Sequence, residues 1–230
     1  MKRVILSICV LALVASSAQA ALVYTPDHDC YGYSNGSWAN TGGQPSLYTA
    51  SSAAAQNGWA IARILPDWGA VNAAYGTSYT ATLKATWVTT LGPNNVGHKI
   101  NVDRMAEASW DEAVATWNGP GPIWGPYWWG GAGTPSGTNY ISETWAANDA
   151  TWEVDATALA NSWDPNLGGA INRGIRFYQS GNTGALLWVA FASKEHATLD
   201  PVQLIFTPEP ATLAVLAIGA VLGLVRRRRA

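Results

Sequence analysis

The chain has 230 residues, 13 basic and 15 acidic, and six of the basic ones sit at its ends: Lys2 and Arg3 at one, Arg226, Arg227, Arg228 and Arg229 at the other. Setting those aside, together with Glu209, leaves seven basic and fourteen acidic residues and a body net charge near −7, which argues against nucleic acid or anionic lipid as a partner because either needs a basic face. Thirteen tryptophans against three phenylalanines, with 23 glycines and few charges, describe a secreted β protein with aromatic core layers and Gly/Pro turns.

Lys2 and Arg3 precede an apolar run, 4–14, and the segment closes on Ala18-Gln19-Ala20, the small-x-small pattern a signal peptidase requires. Residues 1–20 therefore read as a signal peptide, with the mature chain starting at Ala21. The stretch Leu6-Ser7-Ile8-Cys9 has the look of a lipoprotein box but comes before any adequate hydrophobic stretch. Once Cys9 is removed only Cys30 remains, so no disulfide can form within the mature chain and stability rests on packing.

Residues 21–33 read as a first strand, and 34–45 (SNGSWANTGGQP) as turn chemistry throughout. Short strands follow at 47–50 and 59–65, the second alternating Trp59, Ile61 and Arg63 against Ala60, Ala62 and Ile64. Residues 80–90 have the clearest period of two, with Leu83, Ala85 and Trp87 on one face and Lys84, Thr86 and Val88 on the other. That is the pattern of a central strand. A Gly92-Pro93-Asn94-Asn95 turn leads into 98–105, with Ile100 and Val102 inward. In 110–118 (WDEAVATWN) a tryptophan, an acidic pair and a second tryptophan seven residues on cannot be both one helix face and one strand face, so the segment is read as turning midway, with the second tryptophan opening a new strand. Residues 119–139 form a long Gly/Pro loop carrying Trp124, Tyr127, Trp128 and Trp129. A loop of that length in a compact domain is functional or disordered, and its aromatic load argues against disorder. Residues 151–155 read as a strand, 156–163 as one or two helical turns ended by Asp164-Pro165-Asn166, and 174–179, 185–193 and 201–206 as the closing strands. Residues 21–206 thus form one domain of the all-β class, a two-sheet antiparallel β-sandwich of jelly-roll-like form with one short helical turn.

The last segment, 207–230, is an address and not part of the fold. Pro208, Glu209 and Pro210 precede fifteen residues without a charge, 211–225, and then the four arginines. As a helix the run is about 22 Å long against a hydrocarbon core of roughly 30 Å, which is marginal for a permanent anchor. The arginines keep their end cytoplasmic and everything N-terminal outside. A simple tail anchor is one reading. The order of the three parts resembles the PEP-CTERM sorting signal, with Pro208, Glu209 and Pro210 as the recognition motif, 211–225 as a transient membrane helix and Arg226 to Arg229 as the basic stop. The resemblance implies that an exosortase, a membrane-embedded cysteine transpeptidase, cuts near the motif and delivers the protein to the surface or the outside.

The body resembles the DNRLRE-type domain, a secreted β-sandwich related to carbohydrate-binding modules. The resemblance runs through Ala81-Thr82-Leu83, the Trp-acidic-Thr-Trp-Asn pattern of 110–118, Trp152 to Thr157 with Trp163, Asn172-Arg173-Gly174-Ile175, and 191–195 with 201–206. The N-terminal third and the aromatic 119–139 insert depart from the family pattern.

Tryptophans bind sugars because the apolar C–H face of a pyranose lies flat on an aromatic ring while Asn, Asp and Gln bond the hydroxyls. Trp124, Tyr127, Trp128 and Trp129, beside Asn118 and Asn139, meet that requirement; the alternative is a loop that folds over one end of the sandwich and buries its own rings. Trp110, Trp117, Trp152 and Trp163 fall on or next to predicted elements, where burial is the default. Paired carboxylates about 5 to 10 Å apart are the simplest glycosidase machinery. Asp111 and Glu112 are adjacent and point apart, so Glu143, Glu153 and Asp155 are the remaining partners, the last two sharing a strand face. No nucleophile–His–Asp order or phosphate loop stands out, and His28, His98 and His196 are too dispersed for zinc. Asp27 and Asp29 are the candidates for a structural calcium, at a nonspecific spacing. No other cofactor and no catalytic residue is expected. The leading expectation is a noncatalytic surface or extracellular-matrix protein, processed by signal peptidase and exosortase, that binds exopolysaccharide. A structural or adhesive matrix protein without a sugar ligand, and a polysaccharide-degrading enzyme, are the alternatives.

Overall fold

The computed structural model describes residues 20–33, 43–51, 58–88, 99–104, 139–145, 150–170, 174–179 and 187–209. These hold strands β1 (Leu22–Tyr24), β2 (Pro26–Tyr33), β3 (Ser46–Ser51), β4 (Gly58–Ile64), β5 (Tyr79–Thr86), β6 (Lys99–Arg104), β7 (Asn139–Thr144), β8 (Thr151–Asp155), β9 (Ile175–Gln179), β10 (Leu187–Ala192) and β11 (Gln203–Pro208). Two short helices, α1 (Trp68–Tyr75) and α2 (Thr157–Asn161), and a 3-10 turn at Pro165–Leu167 complete them. One sheet has the order β1-β11-β5-β8; the other runs β10-β3-β4-β9-β6-β7, with β2 also paired to β4. The pairs β10–β3, β2–β4, β4–β9, β9–β6, β6–β7 and β5–β8 are all antiparallel, in line with the expected all-β class.

The chain divides into two compact units. The larger is Val23–Pro66 with Ala81–Ile205; the described part of the smaller comprises 20–22, 67–80 and 206–209. Strands β1, β5 and β11 contribute residues to both.

In the larger unit the two sheets are joined by rings. Trp152 of β8 stacks on Trp145, one residue past β7, with centroids 6.1 Å apart and planes at 18°. Trp145 stacks in turn on Phe191 of β10 at 6.0 Å and 13°, and Phe191 meets Phe177 of β9 at 5.3 Å. These are offset-stacked and tilted geometries, the ones the ring quadrupole favours. Each such ring buries about 150–250 Å², a gross contribution of roughly 4–6 kcal/mol before the entropy of ordering it. Ala81, Leu83 and Ala85 of β5, Ile100 and Val102 of β6, and Ile175 of β9 are likewise buried.

Three sequence expectations change. The predicted strand 21–33 is two strands in two different sheets, because Pro26 has no N–H to continue a ladder and the register shifts between Pro26 and His28. The predicted face of Leu83, Ala85 and Trp87 holds only as far as Ala85: Trp87 is half-buried, its N–H donates to the Ala150 carbonyl at 2.8 Å, and Val88 donates to Ala190 at 3.0 Å. There the chain leaves β8 and bridges to Phe191 of β10. In β4, Ala60, Ile61 and Ala62 are all fully buried, so no solvated face alternates with a core face.

The helix over 157–161 agrees with the expected helical turn. Asp155 Oδ1 accepts the Thr157 N–H at 2.9 Å, and Thr157 Oγ1 accepts the Ala81 N–H at 3.0 Å, which ties the helix to β5. Gly169 follows closely; a Cβ there would lie 2.5 Å from the Trp163 carbonyl carbon, so the backbone approach admits only glycine. Helix α1 was missed by the sequence reading although its punctuation is present. Asp67 Oδ1 accepts the Ala70 N–H at 3.0 Å as N-cap, and Gly76, at φ 64°, ends the helix. In this smaller unit Trp68, Tyr79 and the fully buried Phe206 pack as a ring cluster at 5.2–6.5 Å.

On the β6–β9 pair, Arg176 Nη2 sits 2.6 Å from Asp103 Oδ2, both side chains largely buried, and the guanidinium lies 4.5 Å from the Tyr178 ring centre. Burial pushes the Asp103 carboxyl above its usual 3.8, even though the Arg176 hydrogen bond and charge pull it back.

Two measurements test this account. Trp145→Ala, removing a ring that is 1% exposed and touches both sheets, should cost about 3–5 kcal/mol in urea unfolding. A loss under about 1 kcal/mol would show that the stack is not the inter-sheet joint. Because Asp103 binds its proton more tightly folded than unfolded, its contribution is full below the ordinary carboxylate value and is lost as pH rises through the raised native one. The stability difference between wild type and Asp103→Asn should therefore be larger near pH 4 than at pH 7; the opposite ordering contradicts the assignment.

Candidate functional site

Strands β7 and β8 are the last described strands of their respective sheets. Between them, within the larger unit, lies a cleft of about 570 Å³. Strand β7 contributes Tyr140, Ser142, Glu143 and Thr144; β8 contributes Thr151, Glu153 and Asp155; and the stacked Trp145 and Trp152 line it as well. A strand at the end of a sheet turns one row of backbone donors and acceptors away from its partner, so this cleft offers main-chain groups beside hydroxyls and carboxylates.

Register decides how each group arrives. Opposite β6, Ile141 pairs with Val102 and Glu143 with Ile100, so Glu143 belongs to the core-facing row of β7, while Ser142 pairs with Asn101 and donates to its Oδ1 at 2.8 Å. In β8 the buried row is Trp152; Glu153 and Asp155 lie on the other row, across from Lys84 and Thr82. The carboxylates thus come from two rows, Glu143 from that of Ile141 on β7, and Glu153 with Asp155 from one row of β8. Glu153 is 54% exposed with Lys84 Nζ at 3.7 Å, and Asp155 Oδ1 accepts the Thr157 N–H at the start of α2. All three are solvent-exposed. The Nε1 groups of Trp145 and Trp152 are buried with no hydrogen-bond partner among the described residues.

Of the sequence-predicted sugar contacts, Trp124, Tyr127, Trp128, Trp129 and Asn118 lie outside the described residues, as do Trp110, Asp111, Glu112 and Trp117. Asn139 is the first residue of β7. Trp152 and Trp163 are buried in the core, as expected. Tyr140, Ser142, Thr144 and Thr151 were not singled out, because NYISET carries one aliphatic residue, Ile141, and so almost no alternating apolar signal.

Asp27 and Asp29 do not converge on a cation site. Asp27 takes Arg63 through Nε at 2.9 Å and Nη2 at 2.5 Å and lies 3.0 Å from His28 Nδ1. Partial burial raises its carboxyl, but the hydrogen bonds and charges of Arg63 and His28 more than offset that and hold it below the usual value. Asp29, 1% exposed, accepts the Lys194 N–H at 2.8 Å. Among the described residues no three His, Cys, Asp or Glu side chains gather as a metal site. Cys30 is buried on β2.

The sorting segment begins inside the fold. Pro208 is the last residue of β11, and the Glu209 N–H donates to the Ser78 carbonyl at 3.3 Å. Pro210, the 211–225 run, Arg226 to Arg229 and residues 1–19 lie outside the described residues, among which no helix is long and apolar enough to cross a membrane. No curated protein matches the chain. Residues 206–229 match the PEP-CTERM protein-sorting motif, which supports a chain that is exported, processed by an exosortase and located at the cell surface or outside the cell.

Proposed function

We propose that the exported sandwich binds exopolysaccharide without cleaving it, with the β7–β8 cleft as the place where sugar hydroxyls are bonded. The sorting motif at 206–229 carries this reading, because it puts the domain in the compartment where such polymers are. The cleft supports it: hydroxyls of Tyr140, Ser142, Thr144 and Thr151 and the exposed Glu143 offer a dense set of donors and acceptors in an open channel. Stacking faces are assigned to Trp124, Tyr127, Trp128 and Trp129, whose segment runs in sequence directly into Asn139 and β7. The resemblance of the body to DNRLRE-type, jelly-roll-like sandwiches is in keeping with a binding module.

A noncatalytic role is argued from the carboxylates of the cleft among the described residues. A glycosidase acid must be shielded from water to hold its proton at neutral pH, and Glu143, Glu153 and Asp155 are all exposed, two of them engaged with Lys84 or the α2 N-terminus. A structural matrix role is the second reading, favoured by Trp145, Trp152 and Trp163 being spent on the core.

Affinity electrophoresis of the exported protein in gels containing bacterial exopolysaccharides tests the proposal. Retardation should fall about tenfold or more in Trp128→Ala/Trp129→Ala, and by roughly 2- to 10-fold in Glu143→Ala, the range expected for one hydrogen bond to ligand. No retardation by any polymer would favour the structural role. Release of reducing ends that disappears in Glu143→Gln would make the protein an enzyme.

A further inference from the structure

The sorting motif begins with no spacer after the domain, and its first two residues are held by the fold. Phe206 is fully buried against Tyr79 and Trp68, and its carbonyl lies 3.3 Å from the Tyr75 hydroxyl. Thr207 Oγ1 is 2.8 Å from Thr80 Oγ1. Pro208 closes β11, and the Glu209 N–H is bonded to the Ser78 carbonyl. All of these residues belong to the smaller unit.

A protease or transpeptidase reads its substrate as an extended segment whose backbone groups pair with the enzyme, which demands those groups free on both sides of the recognition residues. The Glu209 N–H cannot serve the Ser78 carbonyl and an enzyme's cleft at once, and Thr207 cannot move away from β5 without giving up its hydroxyl bond to Thr80. The two hydrogen bonds are unequal in kind from the anchor behind them: one joins two hydroxyls and the other is long, whereas Phe206 is enclosed by rings. An opening of β11 that began at its C-terminal end would therefore meet its first firm anchor at Phe206. A local opening of this sort is a minor state, populated at roughly 0.1–10%.

We propose that the domain gates its own sorting: the end of β11, Thr207 to Glu209, must peel away from the Ser78–Thr80 segment before the exosortase takes the motif. Processing then runs at a rate proportional to the open fraction, and a domain whose β5–β11 pairing is intact holds its motif back. The proposal rests on the exosortase reading of 206–229.

The test is pulse-chase of the full chain in an exosortase-bearing host, following the mass loss that accompanies removal of the C-terminal segment. Thr80→Ala, which leaves the motif untouched, should speed processing severalfold. Thr80→Cys/Thr207→Cys closes a disulfide across the gate and should slow it at least tenfold, with the wild-type rate restored by a thiol reductant in the medium. Thr207→Cys alone gives up the same hydroxyl pair and should be sped up like Thr80→Ala; slowed processing would instead mark a direct reading of position 207 by the enzyme. A four-residue Gly/Ser insertion between Thr207 and Pro208 should be processed at least as fast as Thr80→Ala, and should make the staple ineffective. Wild-type rates for an oxidised, folded staple variant overturn the gate while leaving the sorting reading intact. A wild-type chain that is never shortened overturns the sorting reading and the gate with it.

Discussion

One constraint shapes the described fold: Cys30, buried on β2, is the one cysteine among the described residues, so no disulfide links the described strands and the two sheets are held together by packing. Trp152, Trp145, Phe191 and Phe177 do this as a continuous file of rings running from β8 to β9. Rings suit the task because each spans much of the distance between facing sheets and loses few rotamers on burial. The cost is polar. Indole N–H groups of Trp87, Trp145, Trp152 and Trp163 are buried without partners among the described residues, and each such donor gives back part of what its ring contributes.

The same file locates the cleft. Trp145 follows β7 immediately and Trp152 is the second residue of β8, so the stack that joins the sheets also fixes the two strands that bound the opening. A ligand in the cleft would therefore lie against a rigid floor on which rotamers are already set. Binding there loses less entropy than binding between mobile strands. By contrast, the carboxylates of Asp27 and Asp103 are each engaged by an arginine, Arg63 and Arg176, and point to stability and register, not to ligand.

The class of fold was legible in the residues because period-two patterns survive wherever one face is buried: Leu83 and Ala85 are buried and Lys84 between them is not, as read, whereas Thr86 and Val88, read onto the other face, are buried as well. Reading failed where that condition lapses. Strand β4 is buried on both faces, β7 has one aliphatic residue, and at Trp87 the chain changes sheets, so the face a side chain takes is set by a partner distant in sequence. Helix α1 was missed for a different reason: Val71 and Tyr75 are its only buried residues, too few for a helical period to emerge from eight positions, although Asp67 and Gly76 mark both ends. The proposed stacking residues were argued from aromatic density in 119–139, and the hydroxyl-rich cleft became visible only when topology brought β7 and β8, the ends of two different sheets, together.

The sorting motif was read from its order of parts alone, and the fold adds what order cannot supply: where the address stops being a separate tail. Reading 207–230 as a detachable segment places the boundary after Phe206, and by burial that is where the core ends. By hydrogen bonding the boundary is two or three residues later, since Thr207 and Glu209 are still engaged with Thr80 and Ser78. A β-strand is not cut off cleanly where its apolar side chains stop, because its backbone groups go on needing partners, and the nearest ones belong to β5 and the residue before it. The overlap between fold and address follows from that accounting, and it couples the state of the domain to the fate of its tail.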